Sequence, residues 1–365
     1  MAATALLMLT LLLSPGAAHP RPAAAPLQVI QLLAEIDSLR QAARIPGLAV
    51  VVMRDTAIVA ATGFGFADLE SRTPVTADTP FDIASVSKPI SAVVALRLVE
   101  AKRLDLDTPM RRFVGFTDYC EGARERGGIF FSDFRCGSDS LTLRHVLSME
   151  SNGEPGTRFW YNPPAYSWTS RPMAQVTGRG FSVLVDSLVF RPAGMTRSAR
   201  QFRALPLRAD LAAALARPYH LDSTGVARRS DPPEPQGDGA AGGVVATARD
   251  LAHFDQALMT GRLIDANTRR IMWTPGRGPS GAELPYGLGW FVKSLEGRSL
   301  AWHTGLWDGR YSALYLKVLS ERPAERATLI LLANSEGLQW PSRLDEAAVE
   351  RSPFARAFLR LLTTN

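Results

Sequence analysis

Lysine is scarce in this chain of 365 residues: only four of its 41 basic residues are lysines, at positions 88, 102, 293 and 317. Runs of basic charge are also missing, none being longer than a pair such as Lys102-Arg103 or Arg269-Arg270. A net charge of +6 spread this thinly builds no strong local potential, so nucleic-acid binding is excluded. Cysteine is limited to Cys120 and Cys136, and no histidine stands at ligand spacing beside either, so no metal site is expected. Long apolar runs are lacking too. The run Ala5 to Leu13 is too short to span a bilayer, which takes about 20 residues, and no later segment is long and apolar enough to do so. What remains is 46% hydrophobic and 21% charged, a globular composition that excludes a disordered tail, a collagen and a coiled coil.

The short apolar run is followed by Ser14-Pro15-Gly16-Ala17-Ala18, small residues suited to signal-peptidase cleavage, so residues 1–25 are expected to be a secretory signal. The expected location is therefore periplasmic or extracellular. In an exported protein Cys120 and Cys136, which share one polar, Gly-rich stretch, are expected to pair, with two free thiols as the alternative. Closing that loop would stabilise the fold by about 3 kcal/mol.

Periodicity places the elements. Leu27, Ile30, Leu33, Ile36 and Leu39 recur at helical spacing. Gly47 to Met53 and Ala57 to Gly65 read as two strands of a hairpin around Arg54-Asp55-Thr56. Ser85 to Ala101 is helical and apolar on nearly every side, which predicts a helix buried in the middle of the protein. Further helices are expected at 141–149, 165–177, 181–189 and 247–260, and a long surface loop over the Pro- and Gly-dense stretch 222–243. Strands return at 287–292, 299–303, 312–318 and 328–334, and a closing helix, 353–362, is expected to dock on the sheet. Strands at both ends with helices between predict a mixed α+β fold. Its sheet-containing domain would be discontinuous, from residues 27–104 and 286–365, with a helical, loop-rich region inserted over 105–285.

The chemistry starts at Ser85-Val86-Ser87-Lys88, the only Ser-x-x-Lys in the chain. The two side chains lie one helical turn apart and can share a face. Amide dipoles at the helix N-terminus favour negative charge developing at Ser85. Lys88 enters an apolar helix, where loss of water lowers an ammonium pKa until the neutral amine can act as a base. A serine activated by such a base suits acyl transfer. The same residues also admit a plainer reading, with Ser85 as a helix cap and Lys88 reaching back to solvent.

The run Thr79-Pro80-Phe81-Asp82-Ile83-Ala84-Ser85-Val86-Ser87-Lys88-Pro89 resembles the nucleophile segment of the class C β-lactamase family, which also holds penicillin-binding D-peptidases and secreted esterases. Gly63 to Asp68, Ala241 to Leu251, Tyr286-Gly287-Leu288-Gly289-Trp290 and His303-Thr304-Gly305 match in order, so the similarity runs from about residue 46 to the strand near 334. The resemblance implies a β-lactamase/transpeptidase-like fold, an antiparallel sheet flanked by helices. It implies Ser85 as nucleophile, Lys88 and Tyr161 as its proton carriers, and His303, Thr304 and Gly305 as the strand beside the substrate. It puts the oxyanion hole at the backbone amides of Ser85 and Leu306, and it needs no cofactor.

Two departures stand out. Where the family has Tyr-x-Asn, this chain reads Tyr161-Asn162-Pro163, so the amide that steadies the lysine and grips an acyl-amide substrate is replaced by Pro163. The family's Leu-Leu-x-His-x-Ser-Gly segment and the stretch behind it are also cut short, at Val146 to Gly156, while Cys120 to Cys136 is elaborated. One rim of the pocket should therefore be remodelled. The expected function is a serine hydrolase acting on a small-molecule or peptide substrate, an ester or D-amino-acid amide. The alternatives are a silent binding protein on the same fold and a true β-lactamase. Oligomeric state is not legible.

Overall fold

Apolar runs from the two ends of the sequence pair with one another. In the computed structural model, which describes residues 27–341 and 347–361, β1 (Gly47–Arg54), β2 (Ala57–Asp68) and β3 (Thr73–Pro74) form one half of a seven-stranded sheet. The expected signal segment lies outside the described residues. The short strands β4 (Pro80–Asp82), β5 (Ala199–Arg200) and β8 (Val244–Thr247) make a second sheet in the order β4-β8-β5, and β6 (Tyr219–Leu221) with β7 (Ala227–Arg229) forms a hairpin. The large sheet is completed by β9 (Phe291–Leu295), β10 (Arg298–Trp307), β11 (Tyr311–Leu319) and β12 (Ala327–Ala333), in the order β3-β2-β1-β12-β11-β10-β9. Every pairing in it is antiparallel, and β1 meets β12 with Val50 opposite Leu331.

Strands β1, β11 and β12 are buried at nearly every position, odd and even alike, so both faces of the sheet are covered. Helix α1 (Leu27–Ala42) packs on β2 and on the closing helix Pro353–Leu361, and the helix Ala248–Met259 packs on β1 and β12. The Phe354, Phe358 and Leu361 face of the closing helix is buried as its pattern predicts.

Helix α2 (Ser87–Glu100) is the central element: eleven of its residues are buried, as an all-round apolar helix requires. Helices α3 (Phe116–Glu125), α4 (Leu143–Leu147) and α5 (Pro163–Trp168) follow, and the disulfide Cys120–Cys136 ties α3 to the loop behind it. Among the described residues no helix is long and apolar enough to cross a membrane.

Two sequence expectations are corrected. The strand expected at 287–292 begins only at Phe291, because Gly289 adopts a φ of +76° and lies against α2. A Cβ there would stand 2.8 Å from the Ala92 side chain and 2.9 Å from the Lys88 carbonyl. Nor is 222–243 a free surface loop. Its first part closes the β6–β7 hairpin, and residues from 233 to 243 run along the wall of the cavity that opens beside Ser85. Pro and Gly density marks a turn-rich path but carries no information about what that path covers.

Candidate active site

A single 3-10 turn, Ala84–Val86, leads into α2 and presents Ser85. Ala84 holds a φ of +45°, a left-handed conformation that costs a non-glycine residue about 1–2 kcal/mol. The Ala84 N–H donates to Asp82 Oδ1 at 2.9 Å, which fixes the turn. Strand β10 lies directly against it. At Gly305 a Cβ would meet the Ile83 carbonyl oxygen at 2.3 Å, so this glycine serves the contact between strand and nucleophile turn. Gly305, expected beside the substrate, is thus not among the residues that line the cavity, whereas Thr304 is.

Lys88 is completely buried, and its Nζ lies 2.7 Å from Ser85 Oγ. The alternative in which it reaches solvent is thereby ruled out. Burial lowers its pKa to about 7, and no carboxylate offsets that loss of solvation. Nζ also donates to the Ala241 carbonyl at 3.1 Å. It sits 5.0 Å from the centre of the Tyr161 ring and 5.6 Å from that of Tyr166. The Tyr166 hydroxyl in turn donates to the Lys88 carbonyl at 2.9 Å, tying α5 to α2. An amine held this way directs its remaining valence at the serine.

Ser85 and Tyr161 open on one cavity of about 520 Å³, also lined by Pro163, Thr304, Leu306 and Trp307. Pro163, which the resemblance sets in place of an asparagine, thus faces the cavity from the first turn of α5. Asn162 does not stand in for it. It is buried behind the loop, where its Oδ1 caps α5 by accepting from the Ala165 N–H at 3.0 Å and its Nδ2 donates to the Phe130 carbonyl at 2.7 Å. That carbonyl belongs to the disulfide-closed segment, and Tyr119, just before Cys120, donates to the Pro164 carbonyl at 3.3 Å and lines the cavity. The region around Cys120–Cys136 therefore props the loop that carries Tyr161. Met149, at a φ of +59°, completes the support: the Trp160 N–H donates to its carbonyl at 2.8 Å.

His303 is not on the cavity wall. It is fully buried, with Tyr286 Oη 2.8 Å from Nε2 and the Thr304 carbonyl 2.7 Å from Nδ1. Burial, with Lys88 nearby, holds its pKa well below the usual histidine value, so the ring is neutral. Tyr286 donates to Nε2 and the Nδ1 hydrogen is given to the Thr304 carbonyl, so His303, expected beside the substrate, instead has both ring nitrogens engaged within the fold.

Three participants were not legible in the sequence. The Ala241 carbonyl that orients the lysine belongs to a backbone segment clamped by Arg200. That buried guanidinium donates to the Gly239 carbonyl at 2.9 Å, to Asp238 Oδ1 at 3.1 Å and to the Gly242 carbonyl. Asp82 and Trp307 are the other two. Among the described residues no cluster of His, Cys, Asp and Glu could hold a metal.

A sequence profile named Beta-lactamase matches residues 32–351, and the chain belongs to that family. Penicillin-binding protein 4* of Bacillus subtilis (strain 168) is 26% identical over 301 residues, covering 75% of this chain and 64% of that protein. A D-aminopeptidase of Brucella anthropi is 26% identical, covering 72% and 52%, and esterase EstB of Burkholderia gladioli is 29% identical, covering 62% and 65%. The chain thus spans about half to two thirds of the length of these relatives. Among solved structures, the octameric penicillin-binding protein homologue from Pyrococcus abyssi superposes with a TM-score of 0.70 at 22% identity, covering 85% of this chain and 74% of that one. The D-amino acid amidase from Ochrobactrum anthropi SV3 gives 0.67 at 20% identity, covering 90% and 99%. These likenesses establish the penicillin-binding-protein/β-lactamase fold.

Proposed function

We propose that the chain is a serine hydrolase that works through an acyl-enzyme on an ester or a D-amino-acid amide. The observation that carries this reading is the amine of Lys88, uncharged above about pH 7 and 2.7 Å from Ser85 Oγ, at the head of an open cavity. Ser85 Oγ attacks the substrate carbonyl carbon while its proton passes to Lys88 Nζ. The oxygen that gains the charge is held by the backbone amides of Ser85 and Leu306, a contribution worth about 3 kcal/mol per donor. Tyr161 carries the proton onward to the leaving alcohol or amine as the carbon–oxygen or carbon–nitrogen bond breaks. Water then attacks the ester on Ser85 by the same route in reverse, releasing the acid and restoring the serine.

The cavity wall favours some acyl donors over others. Its exposed ionisable side chains include the carboxylates Glu234 and Asp308, and among the described residues no Lys, Arg or His lines it. A substrate carboxylate, such as the one on a β-lactam, finds no cation there, and Pro163 offers no amide to grip the acyl group. Esters and amides with a neutral or amino-bearing acyl part fit better. The disulfide supports an oxidising compartment and so export to the periplasm or the exterior.

Intact mass measured seconds after mixing with a p-nitrophenyl ester tests the reading. An adduct of the acyl mass on the wild type, absent from Ser85→Ala, is expected. No adduct and no Ser85-dependent turnover would overturn it, and a labelled penicillin run in parallel should acylate far more slowly.

A further inference from the structure

Asp82 is only 3% exposed, yet it stands at the junction of the two backbone segments that must cooperate at Ser85. Its Oδ1 accepts twice, from the Ala84 N–H at 2.9 Å and from the Trp307 indole Nε1–H at 3.0 Å. Its Oδ2 accepts from Gln201 Nε2 at 3.1 Å. Ala84 immediately precedes Ser85, and Trp307 immediately follows Leu306. One carboxylate oxygen therefore links the strained turn that carries one amide of the oxyanion hole to the end of β10 that carries the other.

We propose that Asp82 is a positioning residue that sets the spacing of the two oxyanion-hole amides. The inference rests on the hydrolase reading above. Three features favour it over a substrate anchor. Both oxygens already accept from protein donors, and the side chain is turned away from solvent. The residue that it holds at the turn, Ala84, adopts a backbone conformation that alanine avoids, so a fixed local acceptor is needed to keep it there. On the far side Trp307 is half-buried and lines the cavity, and the polar edge of its indole is held by this carboxylate. Misplacing an oxyanion donor by a fraction of an ångström weakens a hydrogen bond that forms fully only in the transition state, so the loss should fall on kcat.

The test compares Asp82→Ala, Asp82→Asn and Trp307→Phe with the wild type, using a p-nitrophenyl ester for kcat and KM and phenylboronic acid, which forms a tetrahedral adduct on serine, for affinity. Asp82→Ala should lose roughly 100-fold in kcat with KM within about threefold, and boronate affinity should fall in proportion. Asp82→Asn keeps an oxygen that accepts from both Ala84 and Trp307, and should recover most of that loss. Trp307→Phe should lose roughly tenfold in kcat, and it carries the test if Asp82→Ala shows no cooperative unfolding. A wild-type kcat in the alanine or phenylalanine variant, a loss confined to KM, or an asparagine variant as impaired as alanine would overturn the inference. A wild type without Ser85-dependent acylation would instead remove the hydrolase reading, and this inference with it.

Discussion

Two of the four lysines, Lys88 and Lys317, are completely or almost completely removed from water, and they differ in what replaces the water. Lys317, on β11, forms an ion pair with Asp255 and donates to Thr328 Oγ1 at 3.1 Å; Tyr315 donates to the same carboxylate at 2.5 Å. Burial lowers the Lys317 pKa, but Asp255 pulls against that shift. Lys88 has only neutral partners, the Ser85 hydroxyl and the Ala241 carbonyl, and nothing opposes the drop to about 7. Burial alone therefore does not make a base. A buried lysine with a counter-ion stays an ammonium and serves the core, whereas one given only dipoles can shed its proton near neutral pH.

The largest effect expected from this contrast is on catalysis. Lys88→Met should lower the acylation rate by at least about a thousandfold, because Ser85 loses the acceptor of its proton. Lys317→Met should leave acylation within a fewfold of wild type, as read by stopped-flow release of p-nitrophenol. Equal losses in the two variants would erase the distinction.

Stability should divide the same pair in the opposite sense. With a pKa of about 7 in the folded chain against an ordinary 10.5, Lys88 binds more protons unfolded than folded between those values. Wild-type stability should therefore rise with pH from about 7 to about 10.5, and Lys88→Met should be the more stable protein at pH 7, by up to about 5 kcal/mol, with the gain vanishing near pH 10.5. Asp255→Ala, which strands the Lys317 ammonium, should instead destabilise by about 3–5 kcal/mol. Urea denaturation of the three proteins at pH 7 and pH 10 measures all of these differences. Activity should follow the same ionisation of Lys88, with kcat/KM rising through an acidic limb near pH 7.

How much of this was visible in the sequence depends on what kind of group does the work. The strands of the large sheet were legible because short apolar runs such as Ala49 to Val52 and Leu329 to Leu332 are bounded by turn-forming residues. Helix α2 was legible because its apolar residues cover every side. Ser85 and Lys88 stood out because a lysine in such a helix is expensive unless it has a task. The supports were not legible. A carbonyl such as that of Ala241 has no side-chain signature, and Arg200 and Asp82 look like ordinary charged residues until the chain folds them inward. His303 matched a motif by position, but which way a strand histidine faces depends on partners such as Tyr286, 17 residues before it.

Glu150 offers the mildest test of the rule that neutral partners move a buried charge while a counter-ion anchors it. Its carboxyl group is nearly out of solvent, pressed so close to Gly276 that a Cβ there would stand 2.2 Å from Oε1. Burial raises its pKa to about 7, opposed by the Ser148 side chain and the Gly276 amide and only weakly by Arg144. The sign of the consequence is opposite to that of Lys88. Below the ordinary value of 4.5 the group is protonated folded and unfolded alike, and between 4.5 and about 7 the unfolded chain ionises first, so rising pH weakens the fold until the folded group ionises too. Glu150→Gln should therefore match the wild type near pH 4 and exceed it above pH 7 by roughly 2 kcal/mol. Because Glu150 does not line the cavity, the acidic limb of kcat/KM should stay in place in Glu150→Gln. A limb that moved with this substitution would assign the ionisation near pH 7 to the carboxylate and take it from the lysine.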